Sequence, residues 1–268
     1  MSIVIISVIS VTVMGVICAI VLSVASKLMF VKVDERVALL QEIMPGVNCG
    51  VCGYPGCAGY AKALLTDSRV KPNLCTPGGS SVLAKISDIL GIEAGYIDKK
   101  SAIVHCMGDN VVQHKKMEYK GIQSCEAANQ LYGGDTACAF GCLGYGDCKK
   151  VCPTNAICME HSLARINANL CTGCALCLKV CPNNLISIES FSKPVFILCM
   201  NTEKGAATRK KCTHGCIACT KCVKECPKNA MSIVDNLARI DYEKCDGCER
   251  CVEVCVTKCI HAEHIPNA

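Results

Sequence analysis

The chain has 268 residues, enough for two or three small domains, and carries 27 cysteines but no tryptophan and only 4% aromatics. So few aromatics exclude a large packed core. So many thiols, odd in number and set two residues apart, exclude a disulfide scaffold, because such cysteines converge on a metal or cluster better than on one another. The formal charge of +5 counts every cysteine as neutral, and iron-bound thiolates would overturn it.

The first element is MSIVIISVISVTVMGVICAIVLSVASKLMFVK, with 24 residues from Ile3 to Ser26 free of charge. About 20 apolar residues span a bilayer as a helix. A cleaved signal peptide fits poorly, since no basic segment precedes the run, the run is too long and no A-x-A site closes it. Lys27, Lys32 and Arg36 follow it and nothing basic precedes it. The positive-inside rule therefore predicts a retained single-pass anchor in the cytoplasmic membrane, with the N-terminus outside and the rest of the chain in the cytoplasm. That compartment is reducing, which favours thiolate ligands.

Next comes GVNCGVCGYPGCAGYAKAL, where Cys49, Cys52 and Cys57 precede Cys75 in a C-x2-C-x4-C-x17-C pattern. TPGGSSVLAKISDILGI (76–92) reads as a turn followed by a short helix, with Ser80 or Ser81 as N-cap. SAIVHC (101–106) reads as a short strand. No phosphate-binding glycine motif occurs, and no nucleophile–base set can be assembled. His105, His161 and His214 are scattered and read as surface or satisfied residues.

The remainder is a repeat. A shift of 74 superposes Cys125, Cys138, Cys142, Cys148, Cys152, Cys171, Cys174, Cys177 and Cys181 on Cys199, Cys212, Cys216, Cys222, Cys226, Cys245, Cys248, Cys251 and Cys255, and places LARI (163–166) on LARI (237–240). CTGCALCLKVCP (171–182) and CIACTKCVKECP (216–227) are ferredoxin-type runs, and CDGCERCVEVCV (245–256) has Val256 in place of the proline. In two-cluster ferredoxins the fourth cysteine of each run ligates the other cluster. The spacing then predicts three sets: Cys216, Cys219, Cys222 with Cys255; Cys245, Cys248, Cys251 with Cys226; and Cys171, Cys174, Cys177 with Cys152. Tetrahedral zinc, the rival, uses pairs of C-x2-C rather than such triplets. In the remaining set Tyr145 stands where the repeat has Cys219. Cys138 is the nearest replacement, giving Cys138, Cys142, Cys148 and Cys181, with Cys106 and Cys125 as alternatives.

This arrangement resembles the iron–sulfur B-subunit of the Rnf electron-transport complex along essentially the whole chain, through the anchor, the N-C-G-V-C-G-Y-P-G-C-A-G-Y-A element with its later cysteine, and the ferredoxin runs. The resemblance implies one [4Fe-4S] cluster on Cys49, Cys52, Cys57 and Cys75, with Gly50, Gly53 and Gly56 letting backbone N–H groups approach the sulfides. It implies an electron relay from soluble ferredoxin toward membrane partners and NADH- and flavin-binding partners that reduce NAD+ and move Na+ or H+. No nucleic-acid partner is expected. A membrane-tethered polyferredoxin and a corrinoid-protein reductive activator are the alternatives.

The expected architecture is α+β: an anchor (1–30), a four-Cys [4Fe-4S] domain (31–90), a linker (91–124) and two tandem two-cluster ferredoxin-like modules (125–198 and 199–268). Five [4Fe-4S] clusters at about 2− each would take +5 to roughly −5. Basic groups such as Arg209, Lys210 and Lys211 then read as a solvated face or as a dock for an acidic partner.

Overall fold

The computed structural model describes residues 2–28, 34–93, 95–97, 99–190 and 195–262. Lys32, one of the three basic residues flanking the apolar run, lies outside them. The chain divides into two compact units, Met1–Leu39 and Leu40–Ala268.

In the first unit the apolar run forms α1 (Ser2–Leu28), within which Ile5–Lys27 is long and apolar enough to cross a membrane. At 1.5 Å per residue α1 is about 40 Å long against a hydrocarbon core of about 30 Å. Its large side chains from Ile5 to Val24 are exposed. Its hydroxyls fold back onto the helix, Ser10 donating to the Ser7 carbonyl (2.9 Å) and Thr12 to that of Val8 (3.0 Å), which satisfies them without water.

α2 (Glu35–Ile43) leads into the second unit, where α3 (Gly56–Thr66) and α4 (Gly79–Leu90) form a small helical subdomain around Leu40, Tyr60, Leu64, Leu83 and Ile86. The N-cap of α4 is Gly78, not Ser80 or Ser81. Pro77 and the left-handed Gly79 (φ +60°) start the helix before the serines arrive, and the Ser81 hydroxyl instead donates to the Gly78 carbonyl (3.4 Å).

SAIVHC forms a strand as expected: β1 (Lys100–Val104). It pairs antiparallel with β4 (Ile186–Ser190), from Lys100↔Ser190 to Val104↔Ile186. Between them lie α5 (Cys125–Gln130), α6 (Asp147–Lys150), the hairpin β2 (Ile157–Glu160) and β3 (Leu163–Ile166), and α7 (Leu176–Val180). The second module repeats the plan. β5 (Val195–Ile197) pairs with β8 (Ile260–Ala262), enclosing α8 (Gly205–Lys211), α9 (Lys221–Glu225), the hairpin β6 (Met231–Val234) and β7 (Leu237–Ile240), and α10 (Arg250–Glu253). The hairpins turn through His161–Ser162 and Asp235–Asn236, all four left-handed, as a tight turn matched to strand twist requires.

The two modules differ in their first strands. The His105 N–H donates to the Leu185 carbonyl and the Leu198 N–H to that of Cys259 (both 2.7 Å). Leu185 and Cys259 are 74 apart, whereas His105 and Leu198 are 93 apart. The first module thus begins at β1, inside the segment read as a linker, and carries 19 additional residues between its first strand and the rest of the repeat. In space Cys106, not Cys125, is the counterpart of Cys199.

Each module packs around a leucine of its LARI segment, Leu163 (1% exposed) or Leu237 (0%), with buried cysteines making up much of the remaining core.

Candidate iron–sulfur centres

In the helical subdomain a glycine-punctuated loop wraps a cavity lined by Cys49, Cys52, Cys57 and Cys75, closed by Met44, Val47 and Tyr60. Gly50, Gly53 and Gly56 all have positive φ. At Gly56 (φ +83°) a Cβ would lie 2.7 Å from Asn48 Oδ1, the atom that accepts the Cys57 N–H (2.8 Å). This close approach fixes Cys57 at the head of α3. The buried Tyr60 donates its hydroxyl to the Lys71 carbonyl (2.8 Å) and ties the segment leading to Cys75.

In the modules α6, α7, α9 and α10 each bury one thiol, Cys148, Cys177, Cys222 and Cys251. Burial, then neighbouring thiols, pushes Cys177 up to about 12, the neighbours being Cys171, Cys174 and Cys152. The same causes push Cys222 to about 11 beside Cys216, Cys219 and Cys255, and Cys251 to about 11 beside Cys245, Cys222 and Cys226. The sulfurs that crowd Cys177, Cys222 and Cys251 thus come from both cysteine runs of a module. Backbone donors already point at the sulfurs: Ala102 to Cys171 (3.4 Å), Ala156 to Cys152 (3.3 Å) and Ala230 to Cys226 (3.3 Å). Among the described residues, no three His, Cys, Asp or Glu side chains are grouped to hold a single metal ion.

The irregular set departs from expectation. The cavity containing Cys142, Cys148 and Cys181 is completed by Cys125, and Cys138 does not line it. Cys125 opens α5, and Ser124, the N-cap, accepts the Ala127 N–H (3.4 Å) while donating to Asp147 Oδ2 (2.8 Å). Asp147 heads α6, which carries Cys148, so one side-chain bond sets Cys125 beside Cys148. Cys148 itself is pushed up to about 12 by burial and then by Cys142 and Cys125. Tyr145, in the place of Cys219, turns its hydroxyl onto Asp135 (3.0 Å) and packs edge-on against Tyr119. Cys138 lies instead on a separate cavity with Cys106, Cys199 and Cys212.

Cys158 and Cys18 line none of these cavities. His105 is satisfied between the Ile197 carbonyl and Ser187 (both 2.7 Å). Cys259 is buried (1% exposed) 3.7 Å from Cys255. The S–H···S contact between them is the first cause that holds Cys255 well below the usual thiol range. Leu185 holds this place in the first module. Cys259→Leu should lower the reduction potential of the Cys216/Cys219/Cys222/Cys255 centre by roughly 40 mV, one hydrogen bond of about 1 kcal/mol for one electron. A redox titration followed by EPR checks this, and an unchanged or higher potential refutes it.

Buried thiol cages repeated along ferredoxin-type folds define an iron–sulfur electron carrier. The FeS family, described as an Fe-S cluster, matches residues 44–77, the LdpA Fe-S cluster-binding domain matches 138–192, and the 4Fe-4S dicluster domain matches 170–230 and 215–259. The chain is 41% identical to the B-subunit of the proton-translocating ferredoxin:NAD(+) oxidoreductase complex of Clostridium ljungdahlii, over 92% of this chain and 87% of the relative. It is 38% identical to the B-subunit of the Na(+)-translocating ferredoxin:NAD(+) oxidoreductase complex of Acetobacterium woodii (94% and 75%) and 36% identical to the B-subunit of the ion-translocating oxidoreductase complex of Methanosarcina acetivorans (92% and 94%). The chain belongs to this family, the B-subunits of the Rnf-type ion-translocating oxidoreductase complexes.

Proposed function

We propose that this chain is the electron relay of a membrane-bound ferredoxin:NAD+ oxidoreductase complex. It carries [4Fe-4S] clusters on Cys49/Cys52/Cys57/Cys75, Cys152/Cys171/Cys174/Cys177, Cys125/Cys142/Cys148/Cys181, Cys216/Cys219/Cys222/Cys255 and Cys226/Cys245/Cys248/Cys251. One observation carries the relay: the four-cysteine subdomain is joined to the first module, and the two cages within a module adjoin. Lys179, on the helix that bears Cys177, donates its ammonium to the Cys49 carbonyl (3.0 Å), joining the four-cysteine subdomain to the first module. Within each module the crossed ligand sets place two cages side by side.

Electrons from soluble ferredoxin enter at the second module and leave through the four-cysteine subdomain toward membrane partners. NAD+ reduction and transport of Na+ or H+ belong to the partner chains. α1 is the anchor, and Lys27 and Arg36 favour an outside N-terminus. Protease added to inside-out vesicles that spared the modules would reverse that orientation.

The test is iron and sulfide analysis of the anaerobically purified chain. Five clusters require about 20 Fe, and about 12 Fe or stoichiometric zinc refutes the map. Entry is tested separately. Arg209 and Lys210 are exposed at the end of α8, while Lys211 is engaged by Glu203. Arg209→Glu with Lys210→Glu should slow reduction by an acidic ferredoxin about tenfold at low salt and flatten its salt dependence. Unchanged stopped-flow rates would remove this face as the dock.

A further inference from the structure

Besides Cys259, the five cages leave four buried thiols unused: Cys106, Cys138, Cys199 and Cys212, each 7–8% exposed. They belong to both modules and line one cavity between them. Like the Cys49/Cys52/Cys57/Cys75 cavity, it is lined by four thiols.

The four are two equivalent pairs. Cys106 and Cys199 each follow the first strand of a module, and each sulfur accepts the N–H of the first cysteine in the neighbouring cage, Cys142 (3.5 Å) or Cys216 (3.3 Å). Cys138 and Cys212 are related by the shift of 74. The modules thus contribute like thiols to a shared centre, as two halves of a quasi-symmetric site would.

The surroundings suit an anionic guest. Gly108 donates its N–H to Cys106 Sγ and Asn201 its side-chain amide to Cys138 Sγ (both 3.4 Å). Gln113 Nε2 is buried on this cavity without a partner, and an orphaned amide donor costs about 1–3 kcal/mol unless something accepts from it. A Cβ added at Gly108 or Gly141 would come within 2.8 Å of the Gln113 side chain, so both walls are kept bare. Four thiols serving only as apolar filling would not call for a buried amide donor aimed at them.

We infer that Cys106, Cys138, Cys199 and Cys212 hold a further [4Fe-4S] cluster that bridges the two modules. This rests on the relay reading above. The cluster takes one electron from the Cys216/Cys219/Cys222/Cys255 centre and passes one to the Cys125/Cys142/Cys148/Cys181 centre. It closes the gap that five clusters leave between the modules.

The unmutated full chain, purified anaerobically, should contain about 24 Fe and as much sulfide. Cys199→Ala and Cys212→Ala should each lose about four Fe, or one where a three-iron core remains, while the EPR signals of the other centres persist. Cys158→Ala, at a thiol outside every cage, should lose none. About 20 Fe in the unmutated chain, undiminished in the Cys199 and Cys212 variants, overturns this inference and leaves the five-cluster relay standing. About 12 Fe refutes both. Should the variants fail to fold, Mössbauer quantitation of the iron-57-labelled unmutated chain still separates six cubanes from five, and zinc found at one per chain beside five cubanes also overturns the inference.

Discussion

Replacing Cys125 by Ala should remove about four Fe, or convert one cluster to a three-iron form, and interrupt electron flow between the modules and the four-cysteine subdomain. The sharper result is the rescue. Tyr145 stands in the repeat where Cys219 stands in the second module, so Cys125→Ala combined with Tyr145→Cys should regain full iron. Tyr145→Cys alone should keep its iron and lose only the hydrogen bond to Asp135, at about 1 kcal/mol. Iron analysis with EPR of the three variants decides the matter. Full iron in Cys125→Ala, or no recovery in the double variant, would show that the fourth ligand lies elsewhere.

The place of Cys125 on the cavity of Cys142, Cys148 and Cys181 was not legible in the sequence, for an identifiable reason. A shift of 74 aligns Cys125 with Cys199, and proximity along the chain favours Cys138. Both signals are set aside by the 19 residues that separate β1 from the rest of the first module. They carry Cys125 to α5 and leave Cys106 at the spatial position of Cys199. A clue was nonetheless present: SAIVHC and PVFILC are both short apolar runs ending in cysteine, the mark of equivalent first strands. The regular parts were legible because their chemistry is local. Three thiols two residues apart wrap one face of a cluster whatever surrounds them, and the 24-residue uncharged run is helical for reasons internal to itself. The N-cap of α4 was not legible, because Gly79 starts the helix through a left-handed turn that the neighbouring serines do not report.

Leu237→Ala should be the most damaging change outside the cages. Leu237 is fully buried at the start of β7, packed with Val195, Met231 and Ile260, and such truncations cost about 2–5 kcal/mol against a total of about 5–15. For a module of this size that lowers the midpoint of thermal bleaching by about 10 °C or more. Leu163→Ala, its mate in the first module, should cost as much but bleach the other pair of clusters first. EPR of partly heated samples tells the two apart, and identical bleaching order in both variants would mean that the modules melt as one.

The crossed ligand sets also impose a timetable on biogenesis. A cage cannot close before its last cysteine has left the ribosome, and chains emerge N-terminus first. On the ligand map proposed above, the Cys49 set is complete at residue 75, while the two centres of the first module are complete at residues 177 and 181. The bridging set waits for Cys212, and the last two centres wait for Cys255 and Cys251. A chain truncated between residues 182 and 250 would therefore leave the ribosome with its exit end built and its entry end missing. Such a product can be seated in a membrane but cannot be charged from the side at which ferredoxin arrives.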